Sequence, residues 1–123
     1  MNNFKIGSQI RTLLLNDVAV AEKVGNKVFP LIANANTTFP FLVYRRAAFR
    51  PAYNKDLENE IVVIEIAIAT VKYEEGVDIA NSVADALNGK TTELIEDIQL
   101  TNIYEDFESD TFIQKITLEI TLK

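Results

Sequence analysis

The stretch Glu60–Lys72 constrains the fold more than any other part of the 123-residue sequence. Along this stretch, bulky apolar residues alternate with smaller and partly polar residues, among them Glu65. The bulky positions are Val62, Ile64, Ile66 and Ile68. Side chains of a strand point alternately to its two faces, so this pattern predicts a strand with one fully apolar face. Such a strand suits a sheet that is covered on one side only.

Three further segments have strand character. Phe41–Phe49 is rich in β-branched and aromatic residues and ends at Arg50-Pro51, which leads into a polar loop over Pro51–Asn59. In this strand, one face is expected to hold Phe41, Val43, Ala47 and Phe49. The last third of the chain predicts a hairpin. Its first strand is marked by Ile98, Leu100 and Tyr104, with a break at Asn102 and Ile103 that indicates a bulge. Its second strand, Thr111–Lys123, alternates without a break.

Two main amphipathic helices are predicted, over residues 4–15 and Glu74–Asn88. The second has an apolar stripe through Val77, Ala80, Val83, Ala84 and Leu87. Asp17 is placed to cap a short additional turn of helix that ends at Gly25, and Lys27–Pro30 is a brief extended piece. The sequence therefore predicts one α+β domain over residues 1–123, an antiparallel sheet of about four strands with two main helices on one side.

Composition excludes most reaction chemistry. The chain has no cysteine and no histidine, so disulfides, thiolate metal sites and imidazole catalysis are absent. Its serines lie outside any nucleophile motif, and its four glycines form no phosphate-binding loop. The longest apolar stretch, Ile61–Val71, contains Glu65 and is too short to cross a bilayer. We therefore expect no enzyme activity, no cofactor and no membrane partner.

Charge is divided unevenly along the chain, whose formal net charge is −6. Residues 1–55 carry eight basic and two acidic side chains, whereas residues 56–123 carry four basic and sixteen acidic ones. One interpretation is that the two sets neutralise each other within the fold. The other is that they form complementary faces through which copies meet head to tail.

Charged residues in the middle and near the end of the chain are candidate interface residues. Glu65 interrupts an apolar strand and needs a partner, which Arg45 or Arg46 on the preceding strand can supply. The acidic run Glu105, Asp106, Glu108 and Asp110 is typical of a solvated hairpin tip. It lacks the glycine and the ligand spacing of a calcium loop, although calcium binding stays a third hypothesis.

The segment Phe39–Tyr53 interleaves aromatic residues with Arg45, Arg46 and Arg50. Aromatic side chains can stack on bases and arginines can contact phosphates, so a nucleic-acid-binding accessory domain is the alternative function. A subunit interface is favoured, because arginine and aromatic residues are enriched in interface cores and the pI is near 4.6.

Several segments, in this order and spacing, resemble the tail-completion, or tail-terminator, proteins of long-tailed bacteriophages and prophages. The resemblance spans nearly the whole chain and depends on structural motifs: Leu13–Asp17 (LLLND), Val24–Pro30 (VGNKVFP), Pro40–Tyr44 (PFLVY) and Ala86–Gly89 (ALNG). The Arg45–Arg46 pair and the acidic run match no feature of that family, so their assignment depends on physical reasoning alone.

The resemblance implies a ring, commonly of six subunits, at the head-proximal end of the tail tube. Such a ring ends tube polymerisation and joins the tail to the head. Its implied partners are further copies of the chain, the tail tube protein and the head connector protein, with DNA passing through the lumen without sequence-specific binding. The implied locations are the bacterial host cytoplasm during assembly and the virion tail.

Overall fold

The alternating strand at the centre of the sequence is also the centre of the sheet. The computed structural model describes residues 2–52 and 59–123, so six residues of the expected Pro51–Asn59 loop, 53–58, lie outside the described residues. A 3₁₀ turn, Asn2–Lys5, precedes the regular elements. These are α1 (Ile6–Asn16), α2 (Val18–Val24), β1 (Val28–Pro30), β2 (Phe41–Arg50), β3 (Ile61–Thr70), α3 (Tyr73–Leu87), β4 (Ile95–Glu108) and β5 (Thr111–Leu122).

The sheet has five strands in the order β1-β2-β3-β5-β4. β1 lies parallel to β2, and the other neighbours are antiparallel. The expectation of about four antiparallel strands is therefore wrong in number and in one direction. Three residues of β1 are too few to show an alternating pattern, and their pairing is decided by contacts distant in sequence.

Three α-helices form where two main ones were expected, because the short segment after Asn16 is a helix of its own. Its cap is confirmed: Asp17 Oδ2 accepts a hydrogen bond from the backbone N–H of Val20 over 3.1 Å. It ends at Gly25, whose φ of 63° is readily adopted by glycine. None of the helices in residues 2–52 and 59–123 is long and apolar enough to cross a membrane.

α3 buries part of the expected stripe, since Val83 and Leu87 are fully buried and Ala80 packs against the core. Its buried residues are Gly76, Ile79, Val83, Ala86 and Leu87, whereas Val77 is exposed. At Gly76 the helix lies close to the sheet, because a Cβ at this position would lie only 2.9 Å from Thr70 Oγ1. The missing side chain lets α3 lie close to the sheet.

The core lies between the helices and one face of the sheet. The even positions of β3 and the matching positions of β5 are buried there, as the sequence predicts, together with one side of each helix. The buried strand residues are Val62, Ile64, Ile66, Ile68, Ile116, Leu118, Ile120 and Leu122, and the main helix residues are Ile6, Ile10, Leu14, Val20, Val24, Ile79, Val83 and Leu87.

Two irregularities redirect side chains. The pairing of β2 with β3 shifts between Arg46 and Ala48, so Phe49 lies opposite Val62, on the helix-covered face. The expectation that Phe49 shares a face with Phe41 and Val43 is therefore wrong, because the bulge reverses the alternation. The bulge expected near Asn102 is confirmed by a register shift between Leu100 and Asn102.

Candidate functional site

The face of the sheet opposite the helices, here called the open face, is a broad surface. Its positions on β3 and β5 are mostly half-buried, in contrast to the buried positions on the helix side. Phe29, Phe41 and Val43 give it an apolar region near β1, where the Phe29 and Phe41 ring centroids are 6.4 Å apart. Polar side chains occupy the rest.

A row of polar contacts crosses the open face from β2 to β4. Arg45 Nε donates to Glu65 Oε1 over 3.2 Å, which confirms one of the two partners expected for this carboxylate. Tyr104 Oη donates to Glu65 Oε2 over 2.9 Å, and this bond raises the pKa of the tyrosine. The Glu65 side chain is only 16% exposed. Each carboxylate oxygen has a donor, so hydrogen bonds within the chain account for the burial of this group.

A second ion pair joins Arg50 to Glu119 on the same face. Two of the three arginines predicted as interface residues are therefore neutralised within the chain. The interpretation that the basic and acidic halves compensate each other is confirmed for Arg45 and Arg50.

Arg46 has a different environment on the helix-covered side. Its Nη1 donates to the Phe4 carbonyl oxygen over 3.4 Å, and its guanidinium carbon lies 4.9 Å from the centroid of the Phe4 ring. Within residues 2–52 and 59–123 it forms no ion pair. Arg46 is thus a cation that stacks on an aromatic ring.

A cavity of about 220 Å³ lies beside this stacked pair and is here called the end pocket. It is lined by Asn3, Phe4, Arg46 and Phe49. Asn3 is 7% exposed, and its Oδ1 has no hydrogen-bond partner among the described residues. β1 pairs only with Leu42–Tyr44, so in the described part of the chain the outer edge of β2 carries no partner strand beside the pocket.

The acidic run lies at the far end of the β4–β5 hairpin. Only Ser109 and Asp110 form the turn, both with positive φ, as a two-residue hairpin loop requires. The other acidic residues belong to β4, and all of Glu105–Asp110, here called the hairpin tip, is exposed.

Glu105 is anchored, whereas the other carboxylates of the tip extend into solvent. Gln114 Nε2 and Tyr73 Oη both donate to Glu105 Oε2, over 2.9 and 2.8 Å, and these bonds lower the pKa of the carboxyl. Asp106 accepts only from the backbone N–H of Phe107. In residues 2–52 and 59–123 no group of three or more potential ligand residues is arranged to hold a metal ion.

Phe107 is the residue of the tip that sequence reasoning missed. It is 54% exposed, and its ring centroid lies 4.8 Å from that of Phe112. The signal was present, since an aromatic residue between carboxylates on an exposed strand has no role in a solvated tip. Phe4 was likewise missed, because the sequence places it in a helix and only the fold brings it to Arg46.

The described residues thus offer charged and aromatic surfaces, and the fold they form is shared with a solved structure. A chain from the structure "Virion of native gene transfer agent (GTA) particle" superposes with a TM-score of 0.82. The match covers 95% of this chain and 93% of that one, at 14% sequence identity. A search of curated protein sequences finds no match.

The family is given by the sequence itself. A family model described as "Tail completion protein gp17" matches residues 8–121. The chain belongs to this family of phage tail-completion proteins, as the motif resemblance indicated. Its role is therefore structural, in the assembly of a phage-type tail.

Proposed function

We propose that the chain forms a ring at the head-proximal end of the tail tube, where it ends tube polymerisation and joins the tail to the head. One face of the ring binds the tail tube protein and the other binds the head connector protein. The ring assembles in the bacterial host cytoplasm and stays in the virion tail. A ring of six subunits is the size that we expect from the family resemblance.

The observation that carries this proposal is the separation of two unlike surfaces on one molecule. The end pocket presents Arg46, and the hairpin tip presents Asp106, Glu108 and Asp110. Contacts between two different patches of identical subunits repeat from copy to copy, and they close into a ring when the rotation between subunits permits it. Charge complementarity then fixes which patch meets which.

The acidic composition supports passage of DNA through the lumen. Binding of duplex DNA requires basic side chains that neutralise phosphates, and Arg45 and Arg50 are already paired with carboxylates. Leu42 and Tyr44 of the same segment are buried in the core. These contacts weigh against the alternative function as a nucleic-acid-binding domain.

Loss of the protein is expected to leave tail tubes of uncontrolled length that do not join heads. The test is electron microscopy of particles from a host in which this gene alone is deleted, with the gene supplied in trans as the control. Tails of normal length attached to heads in the deletion strain would contradict the proposed function.

Binding to duplex DNA is expected to be weaker than the roughly 10⁻⁴–10⁻⁶ M range of non-specific DNA-binding proteins at physiological salt. Fluorescence anisotropy with a labelled 30-base-pair duplex, repeated across a salt series, measures this. Binding within that range, together with a steep loss of affinity as salt rises, would favour the nucleic-acid-binding alternative instead.

A further inference from the structure

The end pocket is incomplete in a single chain. The Asn3 Oδ1 atom is buried without a partner among the described residues, and an unpaired buried acceptor destabilises a folded chain. Phe4 and Phe49 leave an apolar cavity open beside it. A complementary occupant supplies an apolar group, a negative charge for Arg46 and an N–H donor.

We propose that the occupant is the hairpin tip of a second copy, with Phe107 inserted between Phe4 and Phe49. This assignment rests on the proposed ring and specifies its subunit contact. The tip carries an exposed aromatic side chain flanked in sequence by carboxylates, and β4 is an edge strand of the described sheet, paired only with β5. Each need of the pocket has a counterpart there.

The sizes agree. Apolar cavities of about 150 Å³ hold a benzene molecule, so the end pocket has room for a phenyl ring. Aromatic residues that fill a pocket at the centre of an interface are typical energetic hot spots. Arg46, held over the Phe4 ring, is positioned at the rim of the same cavity.

The two surfaces cannot meet within one chain. Arg46 is opposite Ile64, which is opposite Leu118 on β5, whereas Phe107 is opposite Phe112. Six residues of β5 therefore separate them, which is about 20 Å along the strands, and they lie on different sides of the two central strands. The tip must find the pocket of another copy.

Both surfaces nevertheless lie on the same side of the sheet. Arg46 and Phe49 are opposite core residues of β3, and Phe107 is opposite Phe112, which shares the helix-covered side of β5. The contact therefore joins two different patches of identical chains, which is the heterologous type of contact that builds a ring.

Disulfide trapping tests this contact, and the chain has no cysteine to interfere. The double variant Ala48→Cys/Ser109→Cys places one exposed cysteine beside Phe49 and one in the turn near Phe107, and it leaves the aromatic residues of the contact in place. It is oxidised in the assembled protein, either free or on tails, and run on a denaturing gel without reductant. The expected result is a ladder of covalent oligomers that ends at the number of subunits in the ring. The matched control is Ala48→Cys/Ile103→Cys, because Ile103 is exposed on the strand that leads to the tip but lies away from the tip.

A ladder no stronger than that of the Ile103 control would overturn the assignment. If such a result came with rings visible by electron microscopy, the subunit contact would be wrong while the proposed function stood. Absence of rings on tails would instead contradict the proposed function itself.

Charge reversal gives an independent readout. Arg46→Glu is expected to weaken self-association by about 30-fold, the loss typical of a hot-spot residue, and Asp106→Lys/Glu108→Lys in the partner is expected to recover part of it. Light scattering and sedimentation of the mixed variants measure both effects. If Arg46→Glu left self-association unchanged but weakened DNA binding, the pocket would be a phosphate contact and the inference would fail.

Discussion

Replacing Ile66 by alanine is expected to lower the free energy of unfolding by about 3–4 kcal/mol, within the range for truncating a fully buried isoleucine. Ile66 lies in the middle of β3, the central strand, and its side chain is completely buried between the sheet and the helices. The cavity left by the substitution cannot close easily, because β2 and β5 hold β3 in place on both sides. For a chain of this size the melting temperature should fall by about 10–15 °C.

Chemical denaturation followed by circular dichroism measures the change, and two variants of the same strand serve as controls. Ile66→Val should cost about 0.5–1.5 kcal/mol. Val63→Ala removes two methyl groups from the half-buried open face, and we expect it to cost less than Ile66→Ala. Equal losses at both positions would mean that the open face is as well packed as the core, contrary to the structure.

Replacing Gly76 by alanine is expected to destabilise the protein by about 1–3 kcal/mol, the usual cost of overpacking. In an exposed helix the same substitution would stabilise by about 1 kcal/mol, since alanine has the higher helix propensity. Here the new Cβ would lie 2.9 Å from Thr70 Oγ1 and 3.4 Å from Gln114 Cγ. Thr70 is buried, and its hydroxyl donates to the Lys72 carbonyl oxygen, so it cannot move without breaking that bond.

A double-mutant cycle separates the clash from propensity. In a Thr70→Ala background the nearest obstacle is gone, and Gly76→Ala should become neutral or stabilising. Asn81→Ala, at an exposed position of α3, reports the propensity gain alone. If Gly76→Ala destabilised the protein equally with and without the Thr70 side chain, close packing against that residue would not explain the glycine.

Much of the fold was predictable because period-2 and period-3.6 patterns report directly which side of an element is buried. Burial alternates as predicted from Ile61 to Ile68 in β3 and from Lys115 to Leu122 in β5, and Asp17 caps α2 as its chemistry predicts. The pattern failed where something other than local sequence decides. β1 forms a strand through its pairing with β2. In α3, Val77 of the expected stripe is exposed, whereas Gly76 is buried against the sheet.

The candidate site was predictable in part for the same reason. The pairing of Glu65 with Arg45 follows from adjacent strands and from the cost of an unpaired carboxylate. The pairing of Arg50 with Glu119 joins residues 69 apart in sequence, so no local signal contains it. The end pocket depends on the bulge between Arg46 and Ala48, which turns Phe49 to the helix-covered face, and on the position of the amino-terminal turn.

In the described part of the chain, the outer edge of β2 from Arg45 to Arg50 has no partner strand, and this affects solubility. Exposed edge strands can pair with strands of other molecules and start aggregation, and natural proteins protect them with charged residues and β-bulges. This edge has three arginines within six residues and the bulge between Arg46 and Ala48. Two copies that met through this same edge would bring their bulges together, and the bulges would interrupt a continuous ladder of hydrogen bonds. Edge-to-edge aggregation is therefore disfavoured.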